Sequence, residues 1–149
     1  MEILNYKGVK NMYKVFKRFK LPIGHRLSKH KGRCFNFHGH NFVIEIQLST
    51  PELNRDDMVI DFHDLKKFVN MVIDKFDHAV VLNPNDKKNI EFFKEAGYRI
   101  EFISNGDHDP TAEVFSRYLY SEFTNTFSVH TVDFVRVWES DDSMAEYSE

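Results

Sequence analysis

Between residues 13 and 21 the side chains alternate, with Tyr13, Val15, Lys17, Phe19 and Leu21 on one side and Lys14, Phe16, Arg18 and Lys20 on the other. A period of two predicts a strand, here with one strongly basic face. Pro22, Gly24 and Gly32 interrupt the pattern, and residues 22–37 read as a loop. Alternation returns at 38–49, where Phe42, Ile44, Ile46 and Leu48 interleave with Val43, Glu45 and Gln47 in a second strand. Leu65, Phe68, Val69, Val72, Ile73 and Phe76 recur instead at three and four residues, the spacing of an amphipathic helix capped by Asp61 or Asp64. Residues 86–96 read as a short surface helix stopped by Gly97, and 98–104 as a third strand. Asp109-Pro110 predicts the start of another helix, since aspartate caps and proline suits a first turn; Val114, Phe115, Tyr118 and Leu119 form its buried stripe. The last strand spans 129–139 and ends on Trp138-Glu139.

Strands paired with segregated helices indicate an α+β fold rather than a doubly wound parallel sheet. No internal repeat or linker divides the chain, so 1–149 reads as one domain, with 1–11 an N-terminal extension and 140–149 an acidic C-terminal tail. At 149 residues it buries enough surface to fold without a disulfide or structural metal, so a metal here would serve chemistry. The 42% hydrophobic and 29% charged composition, with no apolar run near the roughly 18 residues of a membrane span, predicts a soluble protein without a membrane partner. The start, MEILNYKGVKN, has neither a signal-peptide core nor a transit-peptide bias, which points to the cytoplasm. A net charge of -3 argues against nucleic-acid binding. The basic residues crowd the first quarter and the acidic ones the tail, a pattern that reads most simply as a solvated face and a frayed end.

The strongest chemical signal is His38-Gly39-His40. Residues two apart on a strand share a face, so both imidazoles can close on one ion, and Gly39 puts no side chain between them. His25, at the other end of the intervening loop, offers a third ligand, and three neutral imidazoles with an open fourth position suit a catalytic zinc. The single cysteine excludes an intrachain disulfide. Cys34 stands among Lys29, Lys31 and Arg33, which favour a thiolate, and three roles stay open: a base or nucleophile, a fourth ligand closing the metal site, or a buried filler. Asp77-His78 has the composition of an oriented acid–base pair, provided a turn lets adjacent residues meet. Glu139 ends an apolar strand, either solvated or placed to accept hydrogen bonds.

In order and separation, six segments resemble the 6-pyruvoyl-tetrahydropterin synthase family, and within it the 6-carboxy-tetrahydropterin synthases of queuosine biosynthesis. They are Gly24-His25-Arg26-Leu27, Cys34-x3-His38-Gly39-His40, Val59-Ile60-Asp61-Phe62, Asp77-His78 with Leu82-Asn83, Pro110-Thr111-Ala112-Glu113 and Trp138-Glu139. The resemblance implies a tunnelling fold: a four-stranded antiparallel sheet with helices on one face, closing into an oligomeric barrel as a homotrimer or homohexamer. It assigns one zinc per subunit to His25, His38 and His40, proton abstraction to Cys34, and the partner acid–base role to His78 with Asp77. Glu139 falls at the position that anchors the pterin, and Thr111 and Glu113 match a motif near its pocket. The implied substrate is a pterin triphosphate, which makes Lys29, Lys31 and Arg33 candidates for contact with the phosphates. Phe76, Asp109 and Gly24 depart from the residues usual at their positions, and none removes a reactive group.

Overall fold

A computed structural model describes residues 11–149; the first ten residues of the expected N-terminal extension lie outside the described residues. Two long strands, β1 (Tyr13–His25) and β2 (His38–Thr50), pair antiparallel along their whole length. Helix α1 (Phe62–Ile73) follows, then a two-residue strand β3 (Val80–Val81), helix α2 (Lys87–Glu95) and a two-residue strand β4 (Ile100–Glu101). Helix α3 (Ala112–Thr126) leads into β5 (Thr131–Trp138) and β6 (Met144–Tyr147). The α+β class holds. Among the described residues, however, the sheet has six strands in the order β4-β3-β1-β2-β5-β6, with β3 and β4 parallel to β1, where four antiparallel strands were expected.

Pro22 and Gly24 do not end β1, which runs on to His25. The carbonyl of Pro22 accepts a hydrogen bond from the His78 N–H on the side away from β2. A residue's N–H and C=O point the same way along a strand, so the N–H that proline lacks would have faced that outer side, where no ladder bond to β2 is lost. The presumed third strand shrinks to Ile100–Glu101 because only that pair finds a partner, in β3. The tail residues 144–147 are not frayed: they add β6 to the edge of β5, and Tyr147 packs on Tyr120 with ring centroids 5.2 Å apart.

Asp61 caps α1 by accepting from the His63 N–H at 2.6 Å. Asp109 does not cap α3. That role belongs to Thr111, which accepts from the Val114 N–H, and the carboxylate of Asp109 is turned elsewhere. Gly97 ends α2 with φ +81°, a left-handed conformation that glycine adopts without a Cβ clash.

The core lies between one face of the sheet and helices α1 and α3. Phe19, Leu21 and Ile23 of β1, Phe42, Ile44, Ile46 and Leu48 of β2, and Val135 and Val137 of β5 meet Leu65, Val69, Phe115, Leu119 and Phe123. On the opposite face a row of charges crosses four strands at one level: Arg18, Glu45, Arg136 and Glu146 are successive cross-strand partners. Glu45, only 5% exposed, lies between Arg18 at 3.0 Å and Arg136 at 3.7 Å, and Arg136 reaches Glu146 at 2.6 Å. This row ends with opposite charges on the two outer antiparallel strands.

Candidate metal centre

The core face of β1 and β2 does not stop at its last apolar residue. Continuing the alternation beyond Phe42 brings His40 and His38 onto the same side, and continuing beyond Ile23 brings His25 there too. His25 and His38 are register partners, so the rings converge: their centroids are 4.5 Å apart, and His40 lies 5.1 and 4.9 Å from them. Phe42 forms the floor, edge-on to His25 and stacked with His40. Glu139 follows β5 directly. Trp138 pairs with Val43, so the next residue returns to the core face beside His40. One ligand atom from each of His25, His38, His40 and Glu139 lies within 4.8 Å of all the others.

Hydrogen bonds fix the tautomers of two of these rings. His25 Nδ1 donates to the Pro110 carbonyl at 2.9 Å and His38 Nδ1 donates to the Asn36 carbonyl at 2.8 Å. Each neutral ring therefore carries its lone pair on Nε2, and these two nitrogens face each other at 3.0 Å. Two lone pairs at that distance repel unless a cation stands between them. His40 Nε2 is enclosed as well; it lies 3.1 Å from Glu139 Oε1 but out of line for a hydrogen bond. Burial pushes His25 down from 6.5 to about 4, against the opposing pull of the Pro110 carbonyl. Burial likewise lowers His40, with Glu139 opposing and His38 assisting. Three imidazoles aimed at one point, two of them oriented from behind by main-chain carbonyls, fit a bound metal ion. The rings supply three nitrogen donors, and Glu139 stands at the open side.

That open side faces a cleft of about 410 Å³ lined by His40, Glu139, Glu113, Ala112, Ser140, Ser143, Met144 and Ala145. Its size suits a small-molecule ligand. Cys34 lies in a 3-10 turn, Arg33–Phe35, half-buried and outside the four-residue ligand group. Its carbonyl accepts from the Leu27 N–H, and Arg26 stacks on Phe35 at 4.1 Å while pairing with Asp86 at 3.1 Å, which fastens the cysteine-bearing turn to the end of β1. Asp77 and His78 do meet: Asp77 Oδ1 accepts from His78 Nδ1 at 2.7 Å. The turn this needs is present, with His78 at φ 57° and the Arg99 guanidinium donating to the Asp77 carbonyl. The His78 ring is 79% exposed and does not join the ligand group.

A sequence profile described as 6-pyruvoyl tetrahydropterin synthase matches residues 14–149. The chain belongs to the 6-pyruvoyl tetrahydropterin synthase family. It is 28% identical over 148 residues to the 6-carboxy-5,6,7,8-tetrahydropterin synthase of Haemophilus influenzae, covering 93% of this chain and 100% of that protein. To the enzyme of the same name from Rickettsia typhi it is 36% identical over 115 residues, covering 74% and 80%. The fold matches Caenorhabditis elegans 6-pyruvoyl tetrahydropterin synthase with a TM-score of 0.67 at 23% identity, over 93% of this chain and 96% of that one. An uncharacterised protein of Wolinella succinogenes matches with a TM-score of 0.77 at 19% identity, over 93% and 98%.

In this member of the 6-pyruvoyl tetrahydropterin synthase family the remaining expected residues divide. Glu113 lies in the first turn of α3 and lines the cleft, whereas the Thr111 hydroxyl is used as the cap of that helix. Lys29 is already paired with Asp107 at 3.2 Å; Lys31 and Arg33 are exposed, with no carboxylate at ion-pair distance among the described residues. Sequence reasoning did not find the groups that orient the imidazoles. They are the main-chain carbonyls of Asn36 and Pro110, which carry no residue-type signal. Arg26 and Asp86 were also missed, because their contact joins the end of β1 to α2 across sixty residues.

Proposed function

We propose that this protein is a zinc-dependent carbon–carbon lyase that converts 7,8-dihydroneopterin triphosphate and water into 6-carboxy-5,6,7,8-tetrahydropterin, acetaldehyde and triphosphate. The product would enter queuosine biosynthesis in the cytoplasm. The observation that carries the reading is the convergence of three imidazole Nε2 atoms and Glu139 at the mouth of a cleft. The names of the Haemophilus and Rickettsia relatives support the carboxy product.

His25, His38 and His40 hold one zinc per chain, which when bound acidifies the side-chain hydroxyls of the substrate. Glu139 accepts two parallel hydrogen bonds from the pterin amino group and ring N–H, setting the ring's orientation in the cleft. Cys34 as thiolate removes a carbon-bound proton made acidic by the ring, and His78, oriented by Asp77, returns and relays protons as the partner acid–base. Glu113 and Thr111 border the pterin pocket. Lys31 and Arg33, with Lys29 held by Asp107, attract the triphosphate.

The protein acts as a homotrimer or homohexamer. Residues 13–23 of β1 have no strand beyond them among the described residues, and β6 is the other edge. Strand direction alternates from β1 through β6, so pairing β6 of one copy with β1 of the next continues the antiparallel sheet. The charge row supports that pairing, since Glu146 at one edge complements Arg18 at the other. Sedimentation at micromolar concentration tests the assembly: a trimer or hexamer is expected, and a monomer would contradict it.

Mass spectrometry of the product formed by zinc-loaded protein tests the reaction. Stoichiometric acetaldehyde with the 6-carboxy compound is expected. A 6-pyruvoyl product without acetaldehyde would replace this reading with the sister activity, for which the family description and the nematode structure's name speak.

A further inference from the structure

We propose that Asp109 is a positioning residue for the metal centre, holding the loop that carries the Pro110 carbonyl against His25. The inference rests on the metal reading above. Asp109 is a carboxylate only 8% exposed, a costly placement unless its oxygens are satisfied. Three donors satisfy them: the Ser28 hydroxyl at 2.5 Å, the Lys29 N–H at 2.8 Å and the Asn83 amide at 3.1 Å. Asn83, 1% exposed, holds Asp107 with the same amide nitrogen at 2.9 Å, so the loop before α3 is gripped at two points.

These contacts close a ring. From His25 the chain runs three residues to Ser28; Ser28 binds Asp109; the next residue is Pro110; and the Pro110 carbonyl accepts from His25 Nδ1 at 2.9 Å. The proline ring fixes φ at Pro110, and the Thr111 N–H, donating to the Asp109 carbonyl at 2.8 Å, restrains its ψ, so the direction of the Pro110 carbonyl follows from where Asp109 is held. That carbonyl selects the His25 tautomer with its lone pair on Nε2 and fixes the ring's rotation, the two properties a ligating imidazole needs. Asp109 thus acts two steps from the metal, through Pro110 and His25, without touching either metal or substrate. This explains why it does not cap α3 although its type and position suit that role: its carboxylate is committed to the β1 side of the site.

Asp133 provides a matched control. Its carboxylate likewise accepts from two side chains, Ser49 at 2.6 Å and Gln47 at 2.7 Å, and pairs with Lys14. It sits beside Ser49, nine residues along β2 from His40, roughly 30 Å away at the rise of a strand. Zinc affinity is measured by competition with a chromophoric chelator, alongside the visible absorption of the cobalt-substituted protein. Asp109→Ala should weaken zinc by about tenfold or more, the range for loss of an outer-shell partner, and should change the cobalt band. Asp109→Asn keeps one acceptor oxygen but sets its NH2 against either the Asn83 amide or the Lys29 N–H, a donor against a donor, and should fall between wild type and Asp109→Ala. Asp133→Ala should lower the melting temperature and leave zinc affinity unchanged.

Wild-type affinity and an unaltered cobalt spectrum in Asp109→Ala would overturn the proposal, as would an equal loss in Asp133→Ala, which would mark a general stability effect. Should Asp109→Ala not fold, Ser28→Ala takes its place; a several-fold loss is expected, and none would overturn the proposal. A wild-type protein that takes up no zinc would overturn both this proposal and the metal reading. Failure to form the pterin product, with this affinity pattern intact, would remove only the proposed reaction.

Discussion

Metal-free protein should lose stability in weak acid chiefly through His25. The ring is fully buried, and burial lowers it from 6.5 to about 4. The unfolded chain therefore takes up a proton near pH 6.5 that the folded chain refuses until near pH 4. Stability is at its full value above 6.5 and falls as the pH drops from there toward 4. At about 1.4 kcal/mol per pH unit, that gap is worth about 3 kcal/mol in total, of which about 2 kcal/mol is lost between pH 7.5 and pH 5. Urea unfolding at these two pH values, with chelator present and at one protein concentration, gives the wild-type loss. The same pair of measurements on His25→Gln, which keeps a donor for the Pro110 carbonyl but cannot titrate, removes contributions from His40 and the carboxylates. The wild type should lose about 2 kcal/mol more than the variant. Equal losses would refute the claim that a neutral, buried His25 is held at this site.

Phe115→Ala should cost about 3–5 kcal/mol in denaturant unfolding, because Phe115 is fully enclosed and packs edge-on against both Phe42 and Phe76; a loss under about 1 kcal/mol would contradict that packing. Cys34→Ala should retain one zinc per chain and lose turnover, and unchanged turnover would exclude Cys34 as the base. Replacing Lys31 and Arg33 by alanine should raise KM for the triphosphate substrate with little change in kcat, and the same change at the Asp107-paired Lys29 should do less. No change in KM in any of them would return these side chains to the solvent.

Elements with long periodic patterns were legible in the sequence. The β2 alternation and the Leu65–Val69–Ile73 stripe correspond to strand and helix almost to the residue, because each buries one face against the same core. Short elements were not legible. Val80–Val81 and Ile100–Glu101 are strands only because their neighbours supply hydrogen-bond partners, which no local propensity encodes. Pro22 misled for a related reason, since its missing N–H matters only on a side that sequence cannot identify. The polar 140–149 segment hid β6, whose Ala145 and Tyr147 pack against the core while Glu146 faces Arg136. At the site, His38 and His40 declared themselves by spacing, and His25 joined them through the register of β1 on β2. The carbonyls that orient them, and the commitment of Asp109 to Ser28 rather than to α3, depend on contacts across about eighty residues and became visible only in three dimensions.

Whether three imidazoles hold the metal without Cys34 is measured directly by X-ray absorption at the zinc edge of the purified, zinc-loaded protein. One zinc per chain is expected, with three nitrogen ligands at about 2.0–2.1 Å, the remaining coordination from oxygen and no sulfur. A sulfur scatterer at about 2.3 Å would instead make Cys34 a ligand, close the site and exclude a three-imidazole catalytic centre.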